Sequence, residues 1–186
     1  MPSFNFFNIP EGFCMPVTDK AREGDIPGIL SLLKQVLEVH YQLRPDLFIR
    51  STTKYESDKL LKIISDPMTP VFVCRSDASA QSPEGGKVLG HAFCQLMDFS
   101  GSKNMTPIKT LYIDDICVDE GARGKGVATL LYNHVKEYAR QLGCYNITLN
   151  VWEGNAPARA FYEAMGMNVQ KTVMEAVLQP EPSAER

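Results

Sequence analysis

The 186-residue sequence lacks a long apolar run, a surplus of basic charge and a paired arrangement of cysteines. No segment approaches the roughly 18 consecutive apolar residues that a membrane helix needs, so we expect no membrane partner. With 19 lysines and arginines against 22 acidic residues, the net charge of -3 offers no broad basic surface for nucleic acid or anionic lipid. An anionic ligand would therefore have to be held by a local feature.

The cysteines are odd in number and widely spaced, which argues against a disulfide framework and against a zinc site. They are Cys14, Cys74, Cys94, Cys117 and Cys144. Most lie in apolar, strand-like runs, so we expect reduced and buried thiols. The N-terminus shows no secretory pattern, and the expectation is a cytoplasmic protein without a bound metal.

Length and composition fit one globular domain over residues 1–186, with 44% hydrophobic and 22% charged residues. Within it we expect an N-terminal arm at 1–12 and a flexible tail at 179–186, where the sequence is QPEPSAER. The segment 76–86, rich in serine and glycine, is expected to be an exposed hairpin loop.

The hydrophobic periodicity changes along the chain from helical to strand-like and then alternates between the two. A helix capped by Asp25 should run to about Arg44, where a proline follows, and a second should span Tyr55 to Ser65. Strands are expected at 13–17, 70–76, 87–99, 109–119, 145–152 and 168–178, and further helices at 124–142 and 155–165. The predicted fold class is α/β (mixed α+β), with a central mixed, mostly antiparallel sheet flanked by helices.

The hexapeptide RGKGVA at 123–128 directly follows a strand and opens a helix with an apolar stripe. The unpaired amides and the partial positive charge at a helix N-terminus suit a pyrophosphate, and glycines let the backbone approach phosphate closely. Taken alone, the hexapeptide fits a glycine-rich turn before a surface helix equally well. Its spacing matches neither the dinucleotide-binding G-x-G-x-x-G pattern nor a Walker loop.

Two longer segments, ICVDEGARGKGVATLLYNHVKEYARQLG and ITLNVWEGNAPARAFYEAMGM, together resemble the GNAT superfamily from about Leu111 to Met167. They carry a strand, a pyrophosphate loop with its helix, a second strand, and an asparagine before an A-x-x-F-Y-x-x-x-G helix. The family pattern Q/R-x-x-G-x-G/A fits at 123–128, but with Gly124 and Gly126 as its key glycines the first position falls on Gly121. The resemblance implies a GNAT fold, with a sheet splayed at the acetyl-CoA site, and an acetyl-CoA-dependent N-acetyltransferase.

The resemblance also implies where acetyl-CoA binds. The pyrophosphate would lie on the amides of 124–129, the pantetheine would run as a pseudo-strand along 116–118, and Asn155 would hydrogen-bond the same arm. Asn155 also suits the N-cap of the following helix, and both roles are compatible. The implied cofactor-binding residues are Ile116, Cys117, Val118, Arg123, Gly124, Lys125, Gly126, Val127, Ala128, Thr129, Asn155 and Tyr162.

The chemistry of amine acetylation requires proton transfer. An alkyl ammonium has a pKa of about 10.4, so about one molecule in a thousand carries a free lone pair at neutral pH. The site must remove that proton and must also protonate the departing thiolate. By the family match, Tyr162 would be the general acid to the CoA sulfur; as a lone aromatic it would instead be interpreted as a core residue beside Phe161.

Asp114 and Asp115 are adjacent acids within an otherwise apolar strand, and strand alternation predicts that they point to opposite faces. Because burying an unpaired carboxylate is costly, we expect at least one of them to be functional or tightly paired. The segment resembles that of the spermidine/spermine acetyltransferases, where L-Y-L-E-D precedes the same strand end. By that match Asp114 would act as base, through water, and Asp115 would bind a cationic amine.

The leading hypothesis is direct transfer of acetyl to a primary amine, the acceptor being polyamine-like or another small amine. The alternatives are a GNAT-fold module that binds acyl-CoA without turnover, and a protein or peptide N-terminal acetyltransferase, for which a Glu near Asn150 is missing. Cys117 has no histidine placed by sequence to activate it, so an acetyl-enzyme is not expected. The expected partners are acetyl-CoA and the amine, and a homodimer is compatible with the family. The segment 40–55, where this fold largely sets specificity, indicates no substrate class.

Overall fold

The computed structural model describes residues 16–76 and 86–178. Its strands are β1 Val17–Lys20, β2 Val71–Arg75, β3 Val88–Asp98, β4 Lys109–Val118 and β5 Asn146–Leu149. Its α-helices are α1 Ile26–Leu43, α2 Ser57–Ser65, α3 Val127–Gln141 and α4 Ala156–Ala164. The chain divides into two compact units, Met1–Gly154 and Asn155–Arg186, and the strands named here belong to the first. The expectation of a single domain over 1–186 stays a prediction.

The strands form one sheet in the order β1-β2-β3-β4-β5. The first three pairs are antiparallel, and β4 pairs with β5 in parallel. The predicted mixed, mostly antiparallel sheet flanked by helices is therefore confirmed. The β4–β5 ladder covers only Thr110–Ile113 against Asn146–Leu149, whereas β4 continues along β3 as far as Val118. The sheet is thus splayed beyond Ile113, and β5 ends at Leu149 instead of reaching the predicted residue 152.

The hydrophobic core lies on both faces of this sheet. Ile29, Leu32 and Leu33 of α1 are buried at helical spacing against Val71 and Val73 of β2. The side chain between these two valines, Phe72, points the other way and packs edge-on against His134 and Tyr138 of α3 at 4.9 and 5.0 Å. Because strand side chains alternate, α1 and α3 cover opposite faces. Each such side chain contributes about 1.5–3 kcal/mol on burial.

The predicted cap of α1 is wrong. Asp25 occupies the N-cap position, but its carboxylate makes no capping hydrogen bond. It instead accepts two hydrogen bonds from the guanidinium of Arg75 on β2, at 2.7 and 2.5 Å, and a third from the backbone amide of Arg22 at 2.7 Å. Both side chains are buried, so pairing with a full positive charge is favoured over capping the helix.

The strand predicted at 168–178 is also wrong. This segment has neither helix nor strand, and its residues are exposed, including Val173, Met174 and Leu178. Its sequence, NVQKTVMEAVL, resembled a strand. A strand also requires a neighbouring backbone ladder, and in the described part of the chain this segment has none.

Several predictions fall partly or wholly outside the described residues. The N-terminal arm at 1–12, the tail at 179–186 and most of the loop at 76–86 belong to them. Of the strand predicted at 13–17 only the end is described, and β1 begins at Val17.

Cys74, Cys94 and Cys117 are free and buried, and Cys144 is free and partly buried. None of the helices in the described ranges is long and apolar enough to cross a membrane.

Candidate active site

A loop with two left-handed glycines joins the end of β4 to α3. Gly124 and Gly126 have φ values of 74° and 81°, a region that favours glycine over every other residue. The helix predicted from residue 124 therefore begins at Val127. A Cβ built on either glycine meets no atom within 4 Å, so the outer side of the loop is open.

The N-terminus of α3 directs backbone amides at the same loop. The carbonyl of Gly126 accepts the first helical hydrogen bond, from the amide of Leu130 at 3.0 Å. The amides of Val127, Ala128 and Thr129 consequently have no acceptor within the helix. Together with the helix dipole they form a positively polarised end, which fits the pyrophosphate that the sequence predicts there.

The two cationic side chains of the loop bend back onto its carbonyl groups. Lys125 donates from Nζ to the carbonyl of Gly121 at 2.8 Å, and Arg123 donates from Nε to the carbonyl of Val118 at 3.3 Å. Asp119 in turn accepts from the amide of Gly121 at 3.0 Å. The positive charges therefore stay beside the loop, where they add to its attraction for an anion.

The edge of β4 opens immediately before this loop. Residues 115–118 pair with β3 on one side, and within the described residues 114–118 have no strand partner on the β5 side. Such an edge presents backbone N–H and C=O groups to a ligand that can lie alongside it. Ile116, Cys117 and Val118, predicted to line the pantetheine arm, are on this stretch.

The side chain of Cys117 lies in the core. Its Sγ is buried and donates a hydrogen bond to the carbonyl of Leu32 on α1 at 3.4 Å. Burial and, secondarily, the charge of Asp115 raise the pKa of Cys117 to about 12, so the sulfur stays a thiol at neutral pH. Cys117 can offer its backbone to a ligand, but its thiol is not an activated nucleophile.

A β-bulge lies at the two adjacent acids. Phe93 is the partner of Asp115 and Cys94 is the partner of Ile113, so Asp114 has no partner residue on β3. The regular alternation that predicted opposite faces is interrupted at this point. Asp114 and Asp115 instead reach two separate partners, one on the connection between α1 and α2 and one on β3.

Asp114 forms an ion pair with Lys54. The Nζ atom of Lys54 lies 2.5 Å from Oδ2 of Asp114, and the two side chains are 47% and 37% exposed. Burial lowers the pKa of Lys54, but the hydrogen bond and charge of Asp114 raise it, and the net pKa lies above the usual value. A primary ammonium group is thus bound at the carboxylate predicted to be the base. Lys54 is 60 positions from Asp114, and no local sequence pattern indicates the contact.

Asp115 is paired with a buried histidine. Nε2 of His91 lies 3.1 Å from Oδ2 of Asp115, and the imidazole is fully buried. Its Nδ1 atom is buried without a hydrogen-bond partner in the described structure. Nε2 is the ring nitrogen that faces Oδ2, so we assign a hydrogen to it and it donates to the carboxylate. Sequence reasoning did not predict this contact.

Aromatic rings line the same region. The ring of Phe48 is 5.0 Å from His40 and 5.7 Å from Trp152, and the guanidinium of Arg44 lies 5.7 Å from the Trp152 ring centre. Burial lowers the pKa of His40, the charge of Asp115 raises it, and the net pKa lies below the usual value. We call His40, Phe48 and Trp152 the aromatic wall. It is neutral at physiological pH and lies within electrostatic range of Asp115.

A hydrogen bond links the two splayed strands. Asn150, which follows β5, donates from Nδ2 to the hydroxyl of Tyr112 on β4 at 3.1 Å. Burial and the charge of Asp114 raise the pKa of Tyr112, and the hydrogen bond from Asn150 opposes this. Tyr112 therefore keeps its proton at neutral pH.

The second unit contains the other two predicted site residues. Asn155 accepts a hydrogen bond from the amide of Ala158 at 3.2 Å, so the predicted N-cap of α4 is confirmed. Tyr162 lies on α4, where its ring packs edge-on against Phe161 with centroids 5.2 Å apart. The helix geometry puts Asn155 and Tyr162 about two turns apart.

A mixed sheet splayed between β4 and β5, with a glycine loop at the end of β4, defines the class of N-acetyltransferase folds. Residues 37–167 match the model described as Acetyltransferase (GNAT) family, and the chain belongs to that family.

Two curated relatives and a solved structure are similar to the chain. The chain is 27% identical over 150 residues to the thialysine N-epsilon-acetyltransferase of Bos taurus, covering 79% of the chain and 81% of that relative. A match of 56 residues, 43% identical, relates it to the streptothricin acetyltransferase of Streptomyces lavendulae and covers 30% of each protein. A solved mutant of the BH1408 protein from Bacillus halodurans has a TM-score of 0.78 and 27% identity, covering 88% of this chain and 99% of that one.

The protein is accordingly an acetyl-CoA-dependent N-acetyltransferase, as the sequence predicted, and the family uses acetyl-CoA as its cosubstrate. Within residues 16–76 and 86–178, no group of three or more His, Cys, Asp or Glu residues could hold a metal ion.

Proposed function

We propose that this enzyme transfers acetyl to the primary amine of a small cationic acceptor by direct attack on the thioester. The observation that carries the proposal is the ion pair of Lys54 with Asp114, in which a primary ammonium group is bound at a carboxylate on β4. The names of two relatives agree with it, since one is a thialysine N-epsilon-acetyltransferase and the other a streptothricin acetyltransferase.

Acetyl-CoA supplies the activated acetyl thioester. The backbone amides of 124–129 hold its pyrophosphate, and Arg123 and Lys125 add positive charge beside it. The open edge of Ile116 to Val118 pairs with the pantetheine arm, and Asn155 donates to the same arm from its side-chain nitrogen. Left-handed glycines and an open outer surface support the first assignment, and the missing strand partner supports the second.

Asp114 and Asp115 have different roles toward the acceptor. Asp114 accepts the ammonium proton through a water molecule, because its side chain is 37% exposed and that of Asp115 only 10%. Asp115 attracts the cation, and His91 keeps its carboxylate in place by donating from Nε2. A pair of opposite charges about 4 Å apart gains about 4 kcal/mol at an effective dielectric constant near 20, so Asp115 favours acceptors that carry a positive charge.

Tyr162 delivers a proton to the departing CoA thiolate. A phenol is suited to this step because its ordinary pKa of about 10 lies close to that of a thiol, about 8.5. The aromatic wall of His40, Phe48 and Trp152 then contributes apolar surface for the carbon chain of the acceptor and excludes water from the attacking nitrogen.

The direct test measures release of the CoA thiol. The protein is mixed with acetyl-CoA and, in separate reactions, with thialysine, lysine, spermidine, streptothricin or peptides that have a free N-terminus. We expect acceptor-dependent release with a small cationic amine and little release with the peptides. Turnover of the peptides alone would favour an N-terminal acetyltransferase. Binding of acetyl-CoA without turnover of any amine would favour a non-catalytic module and contradict the proposal.

A further inference from the structure

Lys54 is held in a defined position although it lies on the connection between α1 and α2. Its Nζ contacts Oδ2 of Asp114 at 2.5 Å and lies 5.4 Å from the ring centre of Tyr55. Tyr55 in turn packs against Phe93 of β3 with ring centroids 5.7 Å apart. The ion pair and the packed neighbouring residue therefore anchor this ε-amino group over the bulge of β4.

The ε-amino group of Lys54 is chemically the same as a primary alkyl amine acceptor. An acceptor amine must come within reach of Asp114 to lose its proton, and the nitrogen of Lys54 is already there. We propose that Lys54 is a self-acetylation site, at which the enzyme transfers acetyl from acetyl-CoA to its own chain when no acceptor is bound. The inference rests on the proposed function, and specifically on Asp114 as the base.

The reaction is balanced with acetyl-CoA as the only co-reactant. The Lys54 ammonium gives one proton to Asp114, and the freed lone pair on Nζ attacks the thioester carbon. A C–N bond forms as the C–S bond breaks, the nitrogen loses a second proton, and the CoA thiolate takes up one proton. Asp114 then returns its proton to solvent. The products are an amide on Lys54, the CoA thiol and one proton released to solvent.

Self-acetylation has a consequence for the acceptor site. The amide that forms on Lys54 carries no charge, so it no longer competes for Asp114. An external cationic amine would then bind a carboxylate that is free of its internal partner. The modified enzyme should therefore have a lower KM for a cationic acceptor than the unmodified enzyme.

The rate should rise with pH. The groups that act on the Lys54 charge keep its net pKa above the usual value, so the free amine becomes more abundant as the solution becomes alkaline. The titratable groups in electrostatic contact with Lys54 are Asp114, Asp115, Tyr55, Tyr112 and His40.

Lys59 is a matched internal control. Its Nζ also lies 5.4 Å from the ring centre of Tyr55, but it is on α2, and none of the ion pairs found in the described residues joins it to Asp114 or Asp115. General chemical acetylation by acetyl-CoA should therefore label Lys59 at least as fast as Lys54, because the raised pKa of Lys54 leaves less free amine there. Transfer promoted by Asp114 should label Lys54 alone.

The experiment incubates the full chain with acetyl-CoA and no acceptor, followed by intact mass measurement and peptide mapping. We expect one added acetyl group, at Lys54, with a rate at least about tenfold above that of Lys59 because the amine is already positioned. The rate should not depend on protein concentration. Lys54→Arg keeps a positive charge beside Asp114 but has no ε-amine, so it should remove the label. Asp114→Asn should slow the labelling of Lys54 and leave the labelling of Lys59 unchanged.

Any of four results would overturn the inference. One is equal, slow labelling of Lys54 and Lys59, and another is a rate that rises with protein concentration, which would mean transfer between molecules. The third is an unmodified Lys54 in an enzyme that acetylates an added acceptor, which would leave the proposed function intact. If neither Lys54 nor any acceptor is acetylated, both proposals are wrong.

Discussion

Nε2 of His91 lies 3.1 Å from Oδ2 of Asp115, and the other ring nitrogen of His91 is buried without a partner among the described residues. The imidazole therefore makes its one side-chain hydrogen bond among the described residues to the Asp115 carboxylate. A buried polar atom without a partner costs free energy, so its presence in a folded protein calls for an explanation. We infer that His91 is a positioning residue that acts through Asp115.

Replacement of His91 tests this role. His91→Leu should raise the KM for a cationic acceptor with a smaller effect on kcat, because the Asp115 carboxylate loses its only hydrogen bond from β3. It should also destabilise the fold by about 1–3 kcal/mol, the cost of leaving a buried polar group unpaired. Steady-state kinetics and thermal unfolding measure the two effects. His91→Gln, which retains an N–H donor, should recover much of the acceptor affinity; equal KM values in His91→Leu and the wild type would contradict the role.

Gly126→Val should abolish the stabilisation that acetyl-CoA confers. A ligand at a hundredfold excess over its Kd stabilises the native state by about 2.7 kcal/mol, and a branched side chain in the loop would prevent phosphate from approaching the backbone. The measurement is the change in melting temperature on adding acetyl-CoA.

Gly143→Val provides the matched control. Gly143 also has a left-handed φ, 69°, and open space around its Cβ position, but it follows the other end of α3. Both variants should lose roughly 1–2 kcal/mol to backbone strain, and only Gly126→Val should lose the response to acetyl-CoA. A folded Gly126→Val variant that retains the full response would refute the proposed location of the pyrophosphate.

Asp114→Asn should change the pH dependence of turnover. Without the base, the reaction depends on acceptor amine that is already neutral, so the residual activity should recover as the pH approaches the amine pKa of about 10.4. Asp115→Asn should instead raise the KM for a cationic acceptor and leave the shape of the pH profile nearly unchanged. Profiles of kcat/KM for both variants separate the roles, and an Asp114→Asn variant that only binds the acceptor more weakly would exclude it as the base.

Tyr162→Phe should leave the affinity for acetyl-CoA almost intact and lower turnover. The substitution removes only the proton that is delivered to the CoA thiolate, and general acid catalysis contributes about 10² to 10⁴ fold. Calorimetric binding of acetyl-CoA and kcat for one slow acceptor measure the two quantities. Wild-type turnover in this variant would mean that Tyr162 only packs against Phe161 and is not the general acid.

Features with a local cause could be predicted from the sequence. The glycine loop follows from residue types that favour a left-handed turn, and the helix after it begins at Val127, three residues later than predicted. The apolar period of α1 and α3 and the alternation in β2 to β4 depend on neighbouring residues, and these elements lie close to their predicted positions. Asn155 caps α4 for the same reason.

The errors arose where a tertiary contact, present in one case and missing in the other, decided against a local preference. Asp25 has the residue type of a helix cap, yet the guanidinium of Arg75 binds its carboxylate. The segment 168–178 has a strand-like sequence, yet it lacks a backbone ladder in the described structure. Neither the contact of Asp25 nor the missing ladder could be inferred from the local pattern.

The amino-acid sequence by itself determined the family, the cosubstrate and the type of reaction, because the glycine loop and the A-x-x-F-Y helix are contiguous patterns. Only the tertiary structure decided the surroundings of the proposed acceptor site. The bulge at Asp114 and the contacts of Lys54 and His91 join residues from three separate elements, 60 positions apart in one pair and 24 in the other. Such contacts depend on the register of β3 against β4 and on the position of the α1–α2 connection, and no spacing along the chain specifies either.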